Sequence, residues 1–341
     1  MKSSSGSATM DSKTTARILD IQRMSTEDGP GIRTTVFFKG CSLKCRWCHN
    51  PESISMLPQV HWIGSRCLGC KTCLDACPSG ALSFAQTGVS INRLACTGCG
   101  ACAEACPAAA MELLGKDWTL SDLTHEVVKD RAYFEKSGGG ITVSGGEPGM
   151  QAAFAAMLLK SLRESGIHTA LDTCGACAAG AIEQLLPYSS LVLYDLKEIE
   201  TEKHREFTGE HNGRILENLL AVAQYIRSHL YPKTLWIRTP VIPGMTARRD
   251  NIAGIGRFIA GNLGDVVSRW ELCAFNNLCR DKYLRLGKDW ALRDELLLPK
   301  ESMEEFARIA GESGINPDIV VWSGSTRIEE KTSRENRFAT N

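Results

Sequence analysis

Two cysteine runs of one grammar constrain this chain more than anything else in it. Cys67-Leu-Gly-Cys70-Lys-Thr-Cys73-Leu-Asp-Ala-Cys77-Pro78 is followed by Cys96-Thr-Gly-Cys99-Gly-Ala-Cys102-Ala-Glu-Ala-Cys106-Pro107. Each fits C-x2-C-x2-C-x3-C-P, a spacing at which thiolates close around iron–sulfur clusters and the fourth cysteine of each run crosses to the other. The expected ligand sets are therefore Cys67, Cys70, Cys73 and Cys106, and Cys96, Cys99, Cys102 and Cys77. A pair of zinc knuckles is the weaker reading, because eight cysteines at a repeated spacing include no histidine.

The cysteine count is 15 in 341 residues, an odd number in a long chain. A secreted disulfide framework is normally small and even-numbered. Residues 1–16 are rich in Ser, Thr and Lys and carry no apolar signal core. No apolar run reaches the ~18 residues of a membrane helix. These features predict a cytoplasmic protein, where clustered thiols serve metals or catalysis. Lys+Arg and Asp+Glu stand at 39 each. That balance gives no electrostatic reason to expect nucleic acid or a membrane as partner.

The doubled runs divide the chain. Residues 1–15 read as a disordered tail, 58–113 as an insert, 16–57 and 114–325 as one discontinuous frame, and 326–341 as a second tail. Strands are expected at 17–24, 34–39, 141–143, 169–172, 191–196, 235–241, 270–275 and 318–322, from their β-branched and aromatic content. Helices are expected at 119–136 (with Ser121 as N-cap), 151–165, 178–186, 215–229 and 251–262. Alternating strands and helices imply an α/β fold on a parallel sheet, open or closed into a barrel. Chemistry in such folds sits at the carboxyl ends of the strands. Three polar motifs fall there: Ser144-Gly-Gly146-Glu-Pro148, Leu171-Asp172-Thr173, and Tyr194-Asp195-Leu196-Lys197. His125, His168, His204, His211 and His229 are scattered and read as surface or helix-face residues. Cys174 and Cys177 read as small residues of a loop, and Cys273 and Cys279 as core or loop thiols.

A third cysteine motif follows the strand at 34–39. Cys41-Ser-Leu-Lys-Cys45-Arg-Trp47-Cys48 offers three thiolates on one loop. Three thiolates bind three irons of a cubane and leave the fourth iron open to substrate. Zinc is the alternative, with His49 as the only nearby fourth donor.

C-x3-C-x2-C resembles the radical S-adenosylmethionine superfamily. The wider string, Ser25-Thr-Glu-Asp28-Gly-Pro-Gly-Ile-Arg33 through Trp47-Cys48-His49-Asn50-Pro51-Glu52, resembles the activating enzymes of glycyl radical enzymes, and the likeness runs to the last strand. The resemblance implies a partial (β/α)6 radical S-adenosylmethionine barrel with an inserted bacterial-type two-cluster ferredoxin domain. It implies three [4Fe-4S] clusters, with Cys41, Cys45 and Cys48 holding the one that meets S-adenosylmethionine. Trp47, Cys48, His49, Gly146, Asp172, Thr173, Asp195, Leu196, Lys197 and Asn251 would contact that cofactor, with a monovalent cation near Asp172. The implied reaction cleaves S-adenosylmethionine reductively and takes a hydrogen from a glycine of a partner glycyl radical enzyme. Reduced flavodoxin or ferredoxin would supply the electron, and the chain would be a monomer. Isethionate sulfite-lyase is the partner that overall likeness favours. Choline trimethylamine-lyase, diol dehydratase and hydroxyphenylacetate decarboxylase are the alternatives, as is a peptide or small-molecule substrate. A non-catalytic, ferredoxin-like electron carrier is the rival from another class; it explains the insert but not the frame.

Overall fold

The computed structural model describes residues 14–327. The expected tails lie outside these residues except at their inner ends, where Thr15 opens the first strand and Arg327 bridges Pro299. The strands of the frame are β1 (Thr15–Ser25) and β2 (Arg33–Phe38), then, beyond the insert, β7 to β13. The insert contributes β3 (Gln59–Trp62), α1 (Thr72–Asp75), β4 (Leu82–Ala85), β5 (Gly88–Ile91), α2 (Ala101–Glu104) and β6 (Met111–Leu114). The chain returns to the frame through β7 (Lys116–Thr119), α3 (Leu120–Val127) and α4 (Arg131–Ser137). Alternation follows: β8 (Gly140–Gly145), α5 (Ala152–Glu164), β9 (His168–Thr173), α6 (Ala179–Leu185), β10 (Leu191–Asp195), α7 (Thr201–Thr208), α8 (Gly213–Ser228) and β11 (Thr234–Val241). Last come α9 (Arg249–Asn262), β12 (Val267–Ala274), α10 (Arg280–Arg285), α11 (Lys300–Gly311) and β13 (Val320–Ser323).

One sheet organises the frame, in the order β13-β12-β11-β10-β9-β8-β2-β1-β7. The run from β2 through β13 is parallel, while β1 is antiparallel to both its neighbours. Among the described residues β13 and β7 are free edges, so the sheet is open. The insert adds two small antiparallel pairs, β3 with β6 and β4 with β5.

Parallel strands covered by helices read as apolar runs. β8 and β10 do so, and Ile141, Val143, Val192 and Leu193 are fully buried. One core cluster packs Phe154, Leu158, Leu159 and Leu162 of α5 on Val36, Phe38 and Val143. A second packs α8, α9 and α11 on Val192, Leu235, Ile237 and Leu272. Each such Leu or Ile contributes about 1.5–3 kcal/mol on burial. β11 alternates strictly: Leu235, Ile237, Thr239 and Val241 are buried, leaving Arg238 and Pro240 to the opposite face.

The expected helix at 119–136 is two helices. Val128–Asp130 tightens into a 3-10 turn that directs the Asp130 carboxylate inward, where Thr34 Oγ1 donates to it at 2.7 Å and Arg23 pairs with it. The N-cap of α3 is Thr119, not Ser121, since Thr119 Oγ1 accepts from the backbone of Asp122 at 3.1 Å. His204 lies on the buried face of α7, with Nδ1 2.6 Å from the Glu210 carbonyl oxygen. No helix among the described residues is long and apolar enough to cross a membrane.

Candidate functional site

A cavity of about 400 Å³ opens at the carboxyl ends of the parallel strands. Cys41, Cys45 and Cys48 form one wall, and Ser144, Gly146, Asp172, Thr173, Asp195, Lys197, Arg238 and Cys273 line the sheet side. Strand register explains the order. Asp195 stands beside Arg238, Arg238 beside Glu271, and Pro240 beside Cys273.

The cysteine loop is bound on all sides by backbone. Gly40 N donates to Ser53 O at 2.7 Å, Cys41 N to Ile54 O at 3.1 Å, and Lys44 N to Thr208 O at 2.7 Å. The turn after β8 meets it through Glu147 N, which donates to Gly40 O at 2.8 Å. That approach needs glycine: a Cβ on Gly146 would lie 2.2 Å from Gly40 O. Cys45 and Cys48 both line the cavity. Burial pushes the Cys45 thiol up to about 12, and burial with the neighbouring Cys45 pushes Cys48 higher still. Thiols that resist ionisation in isolation are stabilised as thiolates by a bound metal centre. Cys41 differs: a hydrogen bond with Cys174 holds it below the ordinary thiol range and pushes Cys174 up.

Opposite the thiols the charges come in pairs. Lys197 Nζ meets Asp195 Oδ2 at 2.5 Å, with the Lys197 side chain 9% exposed. Burial acts to lower Lys197, but Asp195, Cys45 and Cys174 hold it above its ordinary value. Burial pushes Asp172 up to about 7 despite Arg238, whose Nη1 lies 3.6 Å from Asp172 Oδ1. Ser144 Oγ donates to Asp172 Oδ2 at 2.6 Å. A zwitterionic amino-acid head group matches this donor set, since it carries an ammonium for the carboxylates and a carboxylate for the cations. The three thiols could hold a cubane. Among the described residues no group of three or more His, Cys, Asp or Glu side chains closes around a single ion, as zinc at about 2.3 Å from each sulfur would demand.

Several expected contacts sit elsewhere. Asn251 is fully buried and faces away from the cavity: Oδ1 accepts from Ile199 N at 3.0 Å, and Nδ2 donates to Lys197 O and Thr246 O, both at 3.2 Å. It holds the loop that carries Lys197. The Leu196 side chain lies in the core, and its carbonyl accepts from Thr239 Oγ1 at 2.8 Å. Trp47 and His49 do line the cavity, with His49 Nε2 3.1 Å from the Asn276 carbonyl oxygen.

The sequence reading missed Glu147, Cys174, Ser144, Arg238 and Cys273. Glu147 is a fully buried carboxylate that accepts from Thr173 Oγ1 at 2.8 Å, Cys174 N at 2.9 Å and Gly149 N at 2.9 Å. Its place in the Ser144–Pro148 motif was the available signal. Asp28 is tied by Ser25 Oγ at 2.6 Å and Thr35 Oγ1 at 2.7 Å, and Arg33 is fully buried, with Nε donating to Thr142 Oγ1 at 2.6 Å.

In the insert, Cys67, Cys70, Cys73 and Cys106 line one small cavity. Burial pushes Cys73 up, and Cys106, Cys70 and Cys67 add to it. Burial pushes Cys102 up to about 11, and there the neighbours are Cys77, Cys96 and Cys99. Cys73 thus has Cys67, Cys70 and Cys106 as its thiol neighbours, and Cys102 has Cys77, Cys96 and Cys99. Ala81 N donates to Cys77 Sγ at 3.3 Å and Ala110 N to Cys106 Sγ at 3.2 Å.

Comparison with known proteins follows the same division. A 4Fe-4S dicluster domain model matches residues 62–107, and a 4Fe-4S single cluster domain model matches residues 27–74. The isethionate sulfite-lyase activating enzyme of Oleidesulfovibrio alaskensis is 40% identical over 86% of this chain and 94% of its own. The trans-4-hydroxy-L-proline dehydratase activating enzyme of Clostridioides difficile is 36% identical, over 89% and 98%. The pyruvate formate-lyase 2-activating enzyme of Escherichia coli is 37% identical, over 87% and 90%. Fold, thiols and relatives together define an iron–sulfur enzyme of the radical S-adenosylmethionine class. Within that class, this chain belongs to the glycyl radical enzyme activating enzymes.

Proposed function

We propose that the chain activates isethionate sulfite-lyase, using a [4Fe-4S] cluster held by Cys41, Cys45 and Cys48. The observation that carries the site assignment is the single cavity shared by those thiols and the Asp172, Asp195, Lys197 and Arg238 side chains. The partner assignment leans on relatives of that name at 40% and 38% identity. When bound, the cluster and S-adenosylmethionine supply a 5′-deoxyadenosyl radical that removes a hydrogen from the Cα of the partner's glycine.

The protein's own residues bind and orient. Asp195 and Asp172 receive the ammonium of the methionine head group, and Lys197 receives its carboxylate. Gly146 brings bare backbone to the same head group. Glu147 keeps the turn and Thr173 in place from beneath. Asp172, Thr173 and Asp195 also suit a monovalent cation. Trp47 and His49 line the wall beside the cysteine loop and exclude water. The open sheet serves as a partial (β/α)6-type barrel, with the insert as a ferredoxin-like domain carrying two further [4Fe-4S] clusters. A reduced flavodoxin or ferredoxin in the cytoplasm supplies electrons, and the activator works as a monomer.

The test is to mix anaerobically reconstituted, reduced protein with S-adenosylmethionine and isethionate sulfite-lyase. The expected products are 5′-deoxyadenosine and a glycyl radical doublet in the electron paramagnetic resonance spectrum. Failure to cleave S-adenosylmethionine overturns the whole reading. Cleavage with a radical on a different glycyl radical enzyme overturns only the partner. A second reading, action on a peptide or small molecule, would require cleavage without any protein glycyl radical.

A further inference from the structure

The two cysteine runs repeat in sequence but not in surroundings. In the first run Gly69, Cys70 and Lys71 are exposed, and Leu68 is 74% exposed. In the second run Thr97 and Cys99 are exposed like their counterparts, but Gly98 and Gly100, which match Gly69 and Lys71, are buried. Gly98 packs against the Pro58 carbonyl and Gly100 against Leu113. The cavity of the first group is lined by insert residues alone, among them Trp62, Phe84, Val89 and Met111. The second run instead supplies Gly100, Ala103 and Glu104 to a cleft whose far wall includes Asn50, Glu52 and Lys282.

A physical seam joins that side to the cysteine loop. Arg93 stands beside Cys96, and its Nη2 donates to Arg285 O at 2.8 Å while Nη1 bonds the Val60 carbonyl. Arg285 ends α10, and α10 grips the loop. Tyr283 Oη donates to Cys48 O at 2.9 Å, and Lys282 Nζ donates to His49 O at 3.0 Å and Asn50 Oδ1 at 2.7 Å. Tyr283 stacks on Trp290 with ring centroids 4.9 Å apart, and Trp290 Nε1 donates to Arg46 O at 2.7 Å. The loop is thus held by its carbonyls at residues 46, 48 and 49 from one segment, and that segment is held by Arg93.

We propose that the group Cys77, Cys96, Cys99 and Cys102 is the half of the insert coupled to the catalytic loop, with Arg93, Lys282 and Tyr283 as positioning residues that set its distance and orientation. The group Cys67, Cys70, Cys73 and Cys106 is then the outer half. This rests on the reading that both groups ligate clusters, and the test separates the two claims.

The full-length chain is reconstituted anaerobically as wild type, as Cys67→Ala with Cys70→Ala, and as Cys96→Ala with Cys99→Ala. Iron content is measured first. If neither variant loses iron, the ligation reading fails. With each variant short of one cluster, the catalytic cluster's paramagnetic signal, recognised by its change on adding S-adenosylmethionine, is followed by microwave power saturation. Spin–spin relaxation falls steeply with distance, so loss of the second-run cluster is expected to lower the half-saturation power several-fold. Loss of the first-run cluster is expected to change it by less than twofold. Equal or reversed effects overturn the proposal. An independent measurement covers the case in which a cysteine variant misfolds. Arg93→Ala should raise deuterium uptake in residues 276–290 and in 41–50. Arg66→Ala, which removes a contact with Glu112 of β6, should leave both unchanged. Unchanged uptake in Arg93→Ala would also overturn it.

Discussion

Two regions of this chain present clustered cysteines, and they differ in almost everything except the thiol. The loop at 41–48 brings three, enclosed, against a wall of paired charges at the end of a nine-stranded sheet. The insert brings eight, in two runs of four, on a core of little more than Val60, Cys73, Val89, Cys102 and Met111. Three thiols leave a coordination position for a substrate; four do not. In the frame the thiols share a cavity of about 400 Å³ with charged side chains, and in the insert Cys67, Cys70, Cys73 and Cys106 line a far smaller one without acidic residues.

The largest expected effect breaks that contrast directly. Replacing Cys41, Cys45 and Cys48 by Ala should abolish cleavage of S-adenosylmethionine and remove about four irons per chain while two clusters persist. Iron analysis with product chromatography checks it. Retention of all three clusters would mean that the loop is not a cluster site. The matching insert variants, assayed with dithionite as reductant, should still cleave the cofactor, because no insert cysteine lines the cavity.

Removal of iron should separate the regions next. The insert counts its own cysteines among its few buried residues, so its core depends on what they bind. Its folding should be coupled to the metal. Chelation is expected to erase amide-exchange protection across 58–113 while strands β8 to β12, packed by whole helices, keep theirs. Loss of protection in both regions together would show the frame to depend on iron too.

How much of this contrast the sequence carried follows from the same physics. Cysteine spacing is local, so both insert runs and the loop were visible as motifs without a structure. Asp172, Thr173, Asp195 and Lys197, which line the cavity, were legible as polar residues at or just past strand ends on the edge shared with the cysteine loop. Arg238 and Cys273 were not, because they occupy the cavity face of strands β11 and β12 whose other face is core, and one residue in a period of two carries no distinct signal. Asn251 misled for the converse reason: a polar residue opening a helix after a strand resembles a ligand contact, yet its amide is spent on three backbone groups. The break between α3 and α4 escaped notice because Asp130 is anchored by Thr34 and Arg23, which lie about a hundred residues away.

A smaller effect tests the charged wall. Asp172 is pushed up to about 7 by burial, from an ordinary 3.8. An acid raised on folding stabilises the fold fully below the unfolded value, and that contribution is lost as pH rises through 7. Asp172→Asn should therefore raise the thermal midpoint of the cofactor-free protein at pH 8, by about 1–3 kcal/mol of stability, with no gain near pH 4. The ligand wants the opposite state. Its ammonium pairs with the ionised carboxylate, so affinity for S-adenosylmethionine should tighten about tenfold from pH 5 to pH 6, below the range in which the ligand's own α-amino group titrates, and stay flat there in Asp172→Asn. Calorimetric titration across that range checks the sign, and an affinity that weakens with pH would remove Asp172 from the binding site.

The smallest effect lies inside the insert, where its two halves can be compared residue for residue. Lys71 and Gly100 occupy matching positions, both left-handed, with φ of +63° and +84°. A side chain in that conformation costs about 1–2 kcal/mol, a cost that glycine escapes. Lys71 recovers part of it, because its ammonium lies 5.4 Å from the centre of the Phe84 ring. A cation over an exposed ring is worth about 0.5–1 kcal/mol. Lys71→Gly should therefore change the stability of the loaded protein by only about 0.5 kcal/mol, upward. Gly100→Ala has no such offset, and its new Cβ would meet Leu113 Cδ2 at 3.0 Å in the packed half. It should cost about 1–2 kcal/mol. Thermal melts of the two variants under one atmosphere of nitrogen would measure how much more tightly the second run is held than the first. Equal shifts would mean that the buried half is no less tolerant than the exposed one.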